Sequence, residues 1–168
     1  MIVISDTHVL SSLAAGDSFP VLLRLFARSK LAIPPCVQRE LQAGLEQGNI
    51  YLQPIIQAVL TQKIEVVPLS AEAEQLAFGY PAKLDEGERE AIALAQTRKA
   101  ILLSNDRAAI RYCQQHGIRV IGLVTILRLL WTENVMLQDD VRGLIEKMTQ
   151  VENLSLTPQQ VTEIFAPQ

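Results

Sequence analysis

Short aliphatic runs recur along the chain, and between them apolar residues fall three and four positions apart. The first run, Met1-Ile2-Val3-Ile4-Ser5-Asp6-Thr7, predicts a buried strand that stops abruptly on an acid and a hydroxyl. Ala100-Ile101-Leu102-Leu103-Ser104-Asn105-Asp106 repeats that form. Leu31-Ala32-Ile33, Ile64-Glu65-Val66-Val67 and Arg119-Val120-Ile121 are shorter strand candidates. Helices are predicted between them, over 8–15, 19–27, 36–43, 50–60, 70–78, 84–95, 106–115 and 125–131. In the second of these Val21, Leu22, Leu25 and Phe26 share one face.

Local signals sharpen several boundaries. Pro34-Pro35 suits a helix start, because proline lacks the N–H that a first turn leaves unpaired. Gly44 should close that helix, and Glu40 lies about a turn inside it. Asn49 should cap the 50–60 helix, although Pro54 sits too deep for its first turn. Ser70 caps the next helix, Gly79-Tyr80-Pro81 breaks it, and Gly117 stops the one after Asp106.

The alternation specifies an α/β fold: a three-layer α/β/α sandwich around a parallel sheet of four or five short strands. Beyond residue 137 the strand signal ends. Two helices are expected there, over 139–148 and 158–165, the second with Thr157 as cap and Pro158 in its first turn. We expect a domain over 1–133 and a helical extension over 134–168, packed on that domain or on a dimer mate.

Composition changes the picture in three ways. Aromatics make up only 5% of 168 residues against 49% hydrophobic, so the core must be aliphatic. The net charge of −3 argues against a basic surface along the whole chain, but the charge is uneven. Residues 1–88 carry 6 basic and 10 acidic side chains, 89–128 carry 7 and 2, and 129–168 carry 2 and 6. The middle block is where an anionic partner is expected, or else it is a solvated basic face. Cys36 and Cys113 are too far apart for a metal motif and read as free thiols of a reducing compartment. Asp6 interrupts the first apolar run, and no segment reaches the ~18 apolar residues of a membrane span. A soluble, cytoplasmic protein without a membrane partner is expected. The apolar run around Leu127, Leu129, Leu130 and Trp131 exceeds what one small core needs and suggests a homodimer or a higher even oligomer.

The candidate chemistry lies in acids. Asp6 and Asp106 end two strands, Glu40 lies on the helix after the second strand, and Asp85 and Glu88 open a helix before the fourth. Each has a plain reading. Asp6 and Asp106 would serve as helix caps, Asp85 and Glu88 as a capping box, and Glu40 as a solvated side chain. Together they converge on the carboxyl edge of a parallel sheet, where open α/β folds bind ligands. Like charges that close need a cation between them, which points to a divalent metal. Gly87 is a poor helix former and hints at a close backbone approach. His8 and His116 have no partner at metal or triad spacing, and no nucleophile elbow, phosphate loop or dinucleotide fingerprint is present.

These residues resemble the PIN-domain family of metal-dependent ribonucleases, including its VapC-like toxins. The resemblance runs from residue 1 to about 130: Asp6-Thr7 after the first strand, Glu40 in Pro34-Pro35-Cys36-Val37-Gln38-Arg39-Glu40-Leu41, Glu88 leading into Ala91-Ile92-Ala93-Leu94-Ala95, and Ser104-Asn105-Asp106-Arg107. Two departures stand out. The third acid is usually Asp in the toxins and is Glu88 here, and His8 stands where small polar residues are common. Leu84-Asp85-Glu86-Gly87-Glu88 and the helical tail resemble an uncharacterised prokaryotic PIN-like subfamily.

The resemblance implies an Mg²⁺- or Mn²⁺-dependent endoribonuclease acting on RNA, and commonly the toxin of a type II toxin–antitoxin pair with a cognate antitoxin protein. It implies Asp6, Glu40, Glu88 and Asp106 as catalytic, with Asp6, Glu88 and Asp106 as direct or water-mediated metal ligands and Glu40 holding a metal-bound water or a second ion. Thr7, Ser104, Asn105 and Asp85 would support the site, and Arg107 and Arg111 would meet RNA phosphates. The alternative is a catalytically weak PIN-like module that binds RNA or protein. An acid-dependent phosphotransferase fits poorly, because Asp6-Thr7-His8 lacks a second acid two residues on.

Overall fold

In a computed structural model, which describes residues 1–167, five parallel strands form one sheet in the order β3-β2-β1-β4-β5. They are β1 (Ile2–Ser5), β2 (Lys30–Ile33), β3 (Ile64–Val66), β4 (Ile101–Ser104) and β5 (Val120–Gly122). The chain winds outward from β1 through β2 to β3, then returns to the other side of β1 for β4 and β5. The order therefore reverses between β1 and β4, and their carboxyl ends flank the switch point of the sheet. Ser5 pairs with Leu103 there, and the Asp6 amide donates to the Leu103 carbonyl at 3.0 Å.

The helices are α1 (Thr7–Ala15), α2 (Phe19–Leu25), α3 (Pro35–Glu46), α4 (Gln53–Leu60) and α5 (Ala71–Gly79). After them come α6 (Glu86–Thr97), α7 (Arg107–Gln115), α8 (Leu123–Thr132), α9 (Gln138–Glu152) and α10 (Pro158–Phe165). Strand alternation divides the core into two layers. Val3, Leu31, Ile33 and Leu103 point to one, with Leu10, Leu22, Leu41, Ile55 and Ile126. Ile4, Ala32 and Leu102 point to the other, with Ile92, Leu94 and Cys113. Both faces of the inner strands are thus covered, which is why they read as unbroken aliphatic runs.

Three expected boundaries differ. The helix carrying Glu40 continues through Gly44 to Glu46. Gly44 is a packing position instead: a Cβ there would lie 2.7 Å from Leu52 Cδ1. The 50–60 segment divides into a 3₁₀ turn at Ile50–Leu52 and then α4, and the Asn49 side chain caps neither. Pro54 lies in the first turn of α4, where its missing N–H costs nothing. Gly79 ends α5 from inside rather than breaking it from outside.

The C-terminal helices share the first core layer, through Val141, Leu144, Met148 and Ile164. α9 lies on the end of α1, and Gly16 permits the approach, since a Cβ there would sit 2.1 Å from Leu144 Cδ1. α10 lies on α8. Trp131 Nε1 donates to the Ile164 carbonyl at 2.8 Å, and Arg128 donates to the carbonyls of Glu163 and Ala166 at 2.7 and 2.9 Å. These donors satisfy the open end of α10. Of the apolar girdle of α8, Leu127 and Leu130 are fully buried within the chain, while Leu129 and Trp131 are half-buried. Among the described residues no helix is long and apolar enough to cross a membrane.

A candidate acidic site at the switch point of the sheet

Asp6 is the N-cap of α1 and lies at the tip of β1, only 2% exposed. Its Oδ1 accepts from the Val9 amide at 2.9 Å, and its Oδ2 accepts from the Asn105 amide at 3.3 Å. One carboxylate thus caps a helix and also bridges β1 to the loop after β4. Burial pushes its pKa above the usual carboxylate range, although the Ser104 hydroxyl, the two amides and the His8 charge oppose this.

Asp106 caps α7 in the same way, its Oδ1 accepting from the Ala109 amide at 2.7 Å. Its own amide donates to Ser104 Oγ at 3.2 Å, so buried Ser104 organises the turn on which both Asp6 and Asp106 depend.

Glu88 forms the expected capping box with Asp85. The Glu88 amide donates to Asp85 Oδ1 at 2.7 Å, and the Asp85 amide donates to Glu88 Oε2 at 3.0 Å. The box does not account for everything about Glu88, which is only 7% exposed while Asp85 is at the surface. Burial raises its pKa to about 7, with the charges of Asp85 and Asp106 adding to the shift. Asp85 therefore acts on Glu88, holding the turn that buries it.

Glu40 joins from α3. Its Oε2 accepts from Thr7 Oγ1, and its Oε1 faces the Cys36 thiol at 3.4 Å. The same Oε1 would lie 2.6 Å from a Cβ at position 87. Gly87 thus lets α6 and α3 close over Glu40, as the poor helix former suggested. His8 is exposed, near enough for its charge to act on both Asp6 and Glu88. Arg107 and Arg111 are exposed on α7 next to Asp106 and form no ion pair among the described residues.

All four acids therefore gather where the strand order reverses. Among the described residues none of the four is paired with Lys, Arg or His.

The PIN-domain family model DUF3368 matches residues 2–167. The chain belongs to the PIN-domain family. Among solved structures it is similar to a chain of VapBC2 from Rickettsia felis, determined bound to a DNA fragment from their promoter, at 19% identity with a TM-score of 0.57. That likeness covers 73% of this chain and 98% of the other, and it concerns the fold. No curated protein matches.

The donor set of this PIN domain suits a hard divalent cation, since oxygen ligands without a protein cation are what Mg²⁺ and Mn²⁺ select. Among the described residues no three of the switch-point acids bring ligand atoms within 4.8 Å of one another; the one trio that does, Cys36, Glu86 and Glu90, lies on the flank between α3 and α6. Nothing in the sequence pattern pointed to it, because its members come from two helices about 50 residues apart. It suits a cation less well. Arg39 already lies 3.2 Å from Glu86 and 4.0 Å from Glu90, and Glu90 Oε2 accepts from the Cys36 amide at 2.9 Å. The Cys36 thiol is pushed up to about 12 by burial and by Glu40, which keeps it protonated and a poor ligand.

Proposed function

We propose that this PIN-domain chain is a divalent-metal-dependent endoribonuclease that hydrolyses RNA phosphodiester bonds. The observation that carries the reading is the set of four unpaired acids at the switch point, one with its pKa near 7. Such a group is strained when empty and relieved by a cation. Asp6, Glu88 and Asp106 would hold Mg²⁺ or Mn²⁺. When bound, a divalent ion supplies a lower pKa for the attacking water and charge stabilisation for the phosphate and leaving oxygen. Glu40, oriented by Thr7 and by the gap at Gly87, would accept a hydrogen bond from the attacking water. Ser104 and Asn105 hold the loop between Asp6 and Asp106 in register, and Arg107 and Arg111 would meet the phosphates.

The solved neighbour is one part of a VapBC2 complex on promoter DNA. On that analogy we infer that this chain acts in the cytoplasm as the toxin of a toxin–antitoxin pair, with an antitoxin protein as partner.

The test is cleavage of end-labelled structured RNAs by the purified chain with Mn²⁺ or with EDTA, beside Asp6→Asn. Cleavage that needs Mn²⁺ and disappears in the variant supports the reading. RNA binding without cleavage at any metal concentration would replace it with the binding-module reading.

A further inference from the structure

Opposite the acids, at the amino edge of the sheet, a cleft of about 270 Å³ lies between the ends of α6 and α7. Ala95, Gln96, Lys99, His116, Ile118 and Arg119 line it, and no acid does. Lys99, His116 and Arg119 are exposed, as is the neighbouring Arg98. Lys99, Arg98 and Arg119 form no ion pair among the described residues. Above the cleft three rings form a ladder. Tyr80 lies 5.0 Å from Tyr112 at 57°, and Tyr112 lies 4.0 Å from His116 at 20°, which is stacked. The inner ring is buried and anchored by its hydroxyl to Gln96 Oε1 at 2.8 Å. The outer ring is fixed too, because His116 Nδ1 donates to the Tyr112 carbonyl at 2.8 Å. Cations after a helix end are also what the helix dipole favours. The dipole gives no reason, however, for a rigid, exposed ring stacked beside them.

We propose that this cleft is a second subsite for single-stranded RNA, in which a base stacks on His116 while Lys99, Arg98 and Arg119 meet the phosphates. It rests on the ribonuclease reading and adds where the strand leaves the acidic site. Fixed aromatic faces flanked by cations are the recurring means of holding unpaired nucleotides. α7 joins the two sites. Asp106 caps one end and His116 the other. The ten steps from one cap to the other span about 15 Å at about 1.5 Å each. Arg107 and Arg111, four apart on the exposed face, mark the path between. At about 3.4 Å per stacked nucleotide the path holds about four or five nucleotides. A strand held at both ends is longer than that, and a paired helix would not present its bases to the ring. The excess of basic side chains in residues 89–128 thereby acquires a use.

The experiment is fluorescence anisotropy in Ca²⁺, a hard cation for the oxygen ligands of the acidic site, with the full chain and labelled single-stranded RNAs of five and fifteen nucleotides. The variants are His116→Ala and the double variant Lys99→Asn with Arg119→Gln. Asn suits position 99 because its φ is +50°. Thermal melting checks that each variant folds. In the parent chain the fifteen-mer should bind at least about tenfold more tightly than the five-mer. His116→Ala should reduce that ratio about tenfold, as loss of one stacked base does. The double variant should also lower the salt slope of fifteen-mer binding by about 1.4, at about 0.7 per phosphate contact. Folded variants that keep the parent ratio overturn the subsite. A parent chain that cleaves RNA but binds both lengths equally overturns the subsite and leaves the nuclease reading intact. A parent chain that neither binds nor cleaves RNA overturns both.

Discussion

The carboxylate of Glu40 occupies the space that a side chain at Gly87 would need: a Cβ there would meet Oε1 at 2.6 Å and Oε2 at 2.9 Å. Helix propensity and site geometry therefore oppose each other at this position. Alanine in α6 is favoured over glycine by about 1 kcal/mol, and the Glu40 side chain is flexible enough to swing aside. Gly87→Ala should keep or slightly raise the melting temperature while metal-dependent cleavage falls toward the level of Glu40→Gln. Paired melting and rate measurements check this. A variant with full activity would show that Glu40 has no part in the reaction.

Asp6 allows two roles to be separated. Asp6→Asn keeps an oxygen for the Val9 amide but loses the acceptor of the Asn105 amide and a metal-binding oxygen, so it should stay folded and cleave nothing in Mn²⁺. Asp6→Ala also loses the cap, at about 1 kcal/mol, and should melt below Asp6→Asn. Equal melting of the two variants would mean that the 2.9 Å bond to Val9 contributes nothing.

Glu88 sets a pH dependence. Its folded pKa of about 7 lies above the ordinary glutamate value of 4.5, so the folded chain holds this proton more tightly than the unfolded one. Its contribution to stability is present below about 4.5 and is lost as pH rises through about 7. Asp6, also raised, has the same sign. Without metal, thermal stability should fall between pH 5 and 7.5, and Glu88→Gln should flatten that slope. Mn²⁺ should restore stability most at the upper end, where it no longer competes with the proton. Melting curves in EDTA and in Mn²⁺ across the range provide the test.

The tail is tested by deletion of residues 137–168. Because Leu144, Met148 and Ile164 lie in the main core layer, the truncated chain should lose stability and gain no cleavage rate. A truncated chain that stays folded and cleaves faster, with the difference shrinking at high salt, would show the acidic tail to be a lid.

The strands were legible because each is short, aliphatic and bounded by a turn signal; Asp6 and Asp106 stood out because each ends a strand and Glu88 because it opens a helix, whereas Glu40, inside α3, stood out only through the resemblance. Three features were not. Pro54 looked misplaced because a 3₁₀ turn and an α-helix in succession share one apolar pattern. The packing of α10 on Trp131 was not legible, because Ile164 lies more than 30 positions on. The polar group on Glu152 left no periodic trace, since its partners come from α1 and the 3₁₀ turn.

That group bears on how the molecule is made. Glu152 accepts from the hydroxyls of Ser11 and Ser12, the latter at 2.8 Å and 140 residues away, and from Tyr51 at 3.2 Å. The helix that begins at the acidic site is therefore sealed by the end of α9, 140 residues on from Ser12. Contacts so distant in sequence are slow to form and carry a large closure cost. A nascent chain held at about residue 135 would already own all four acids yet lack the surface that locks α1. The residues of the site are thus in hand before the helix that carries Asp6 and Thr7 is locked in place.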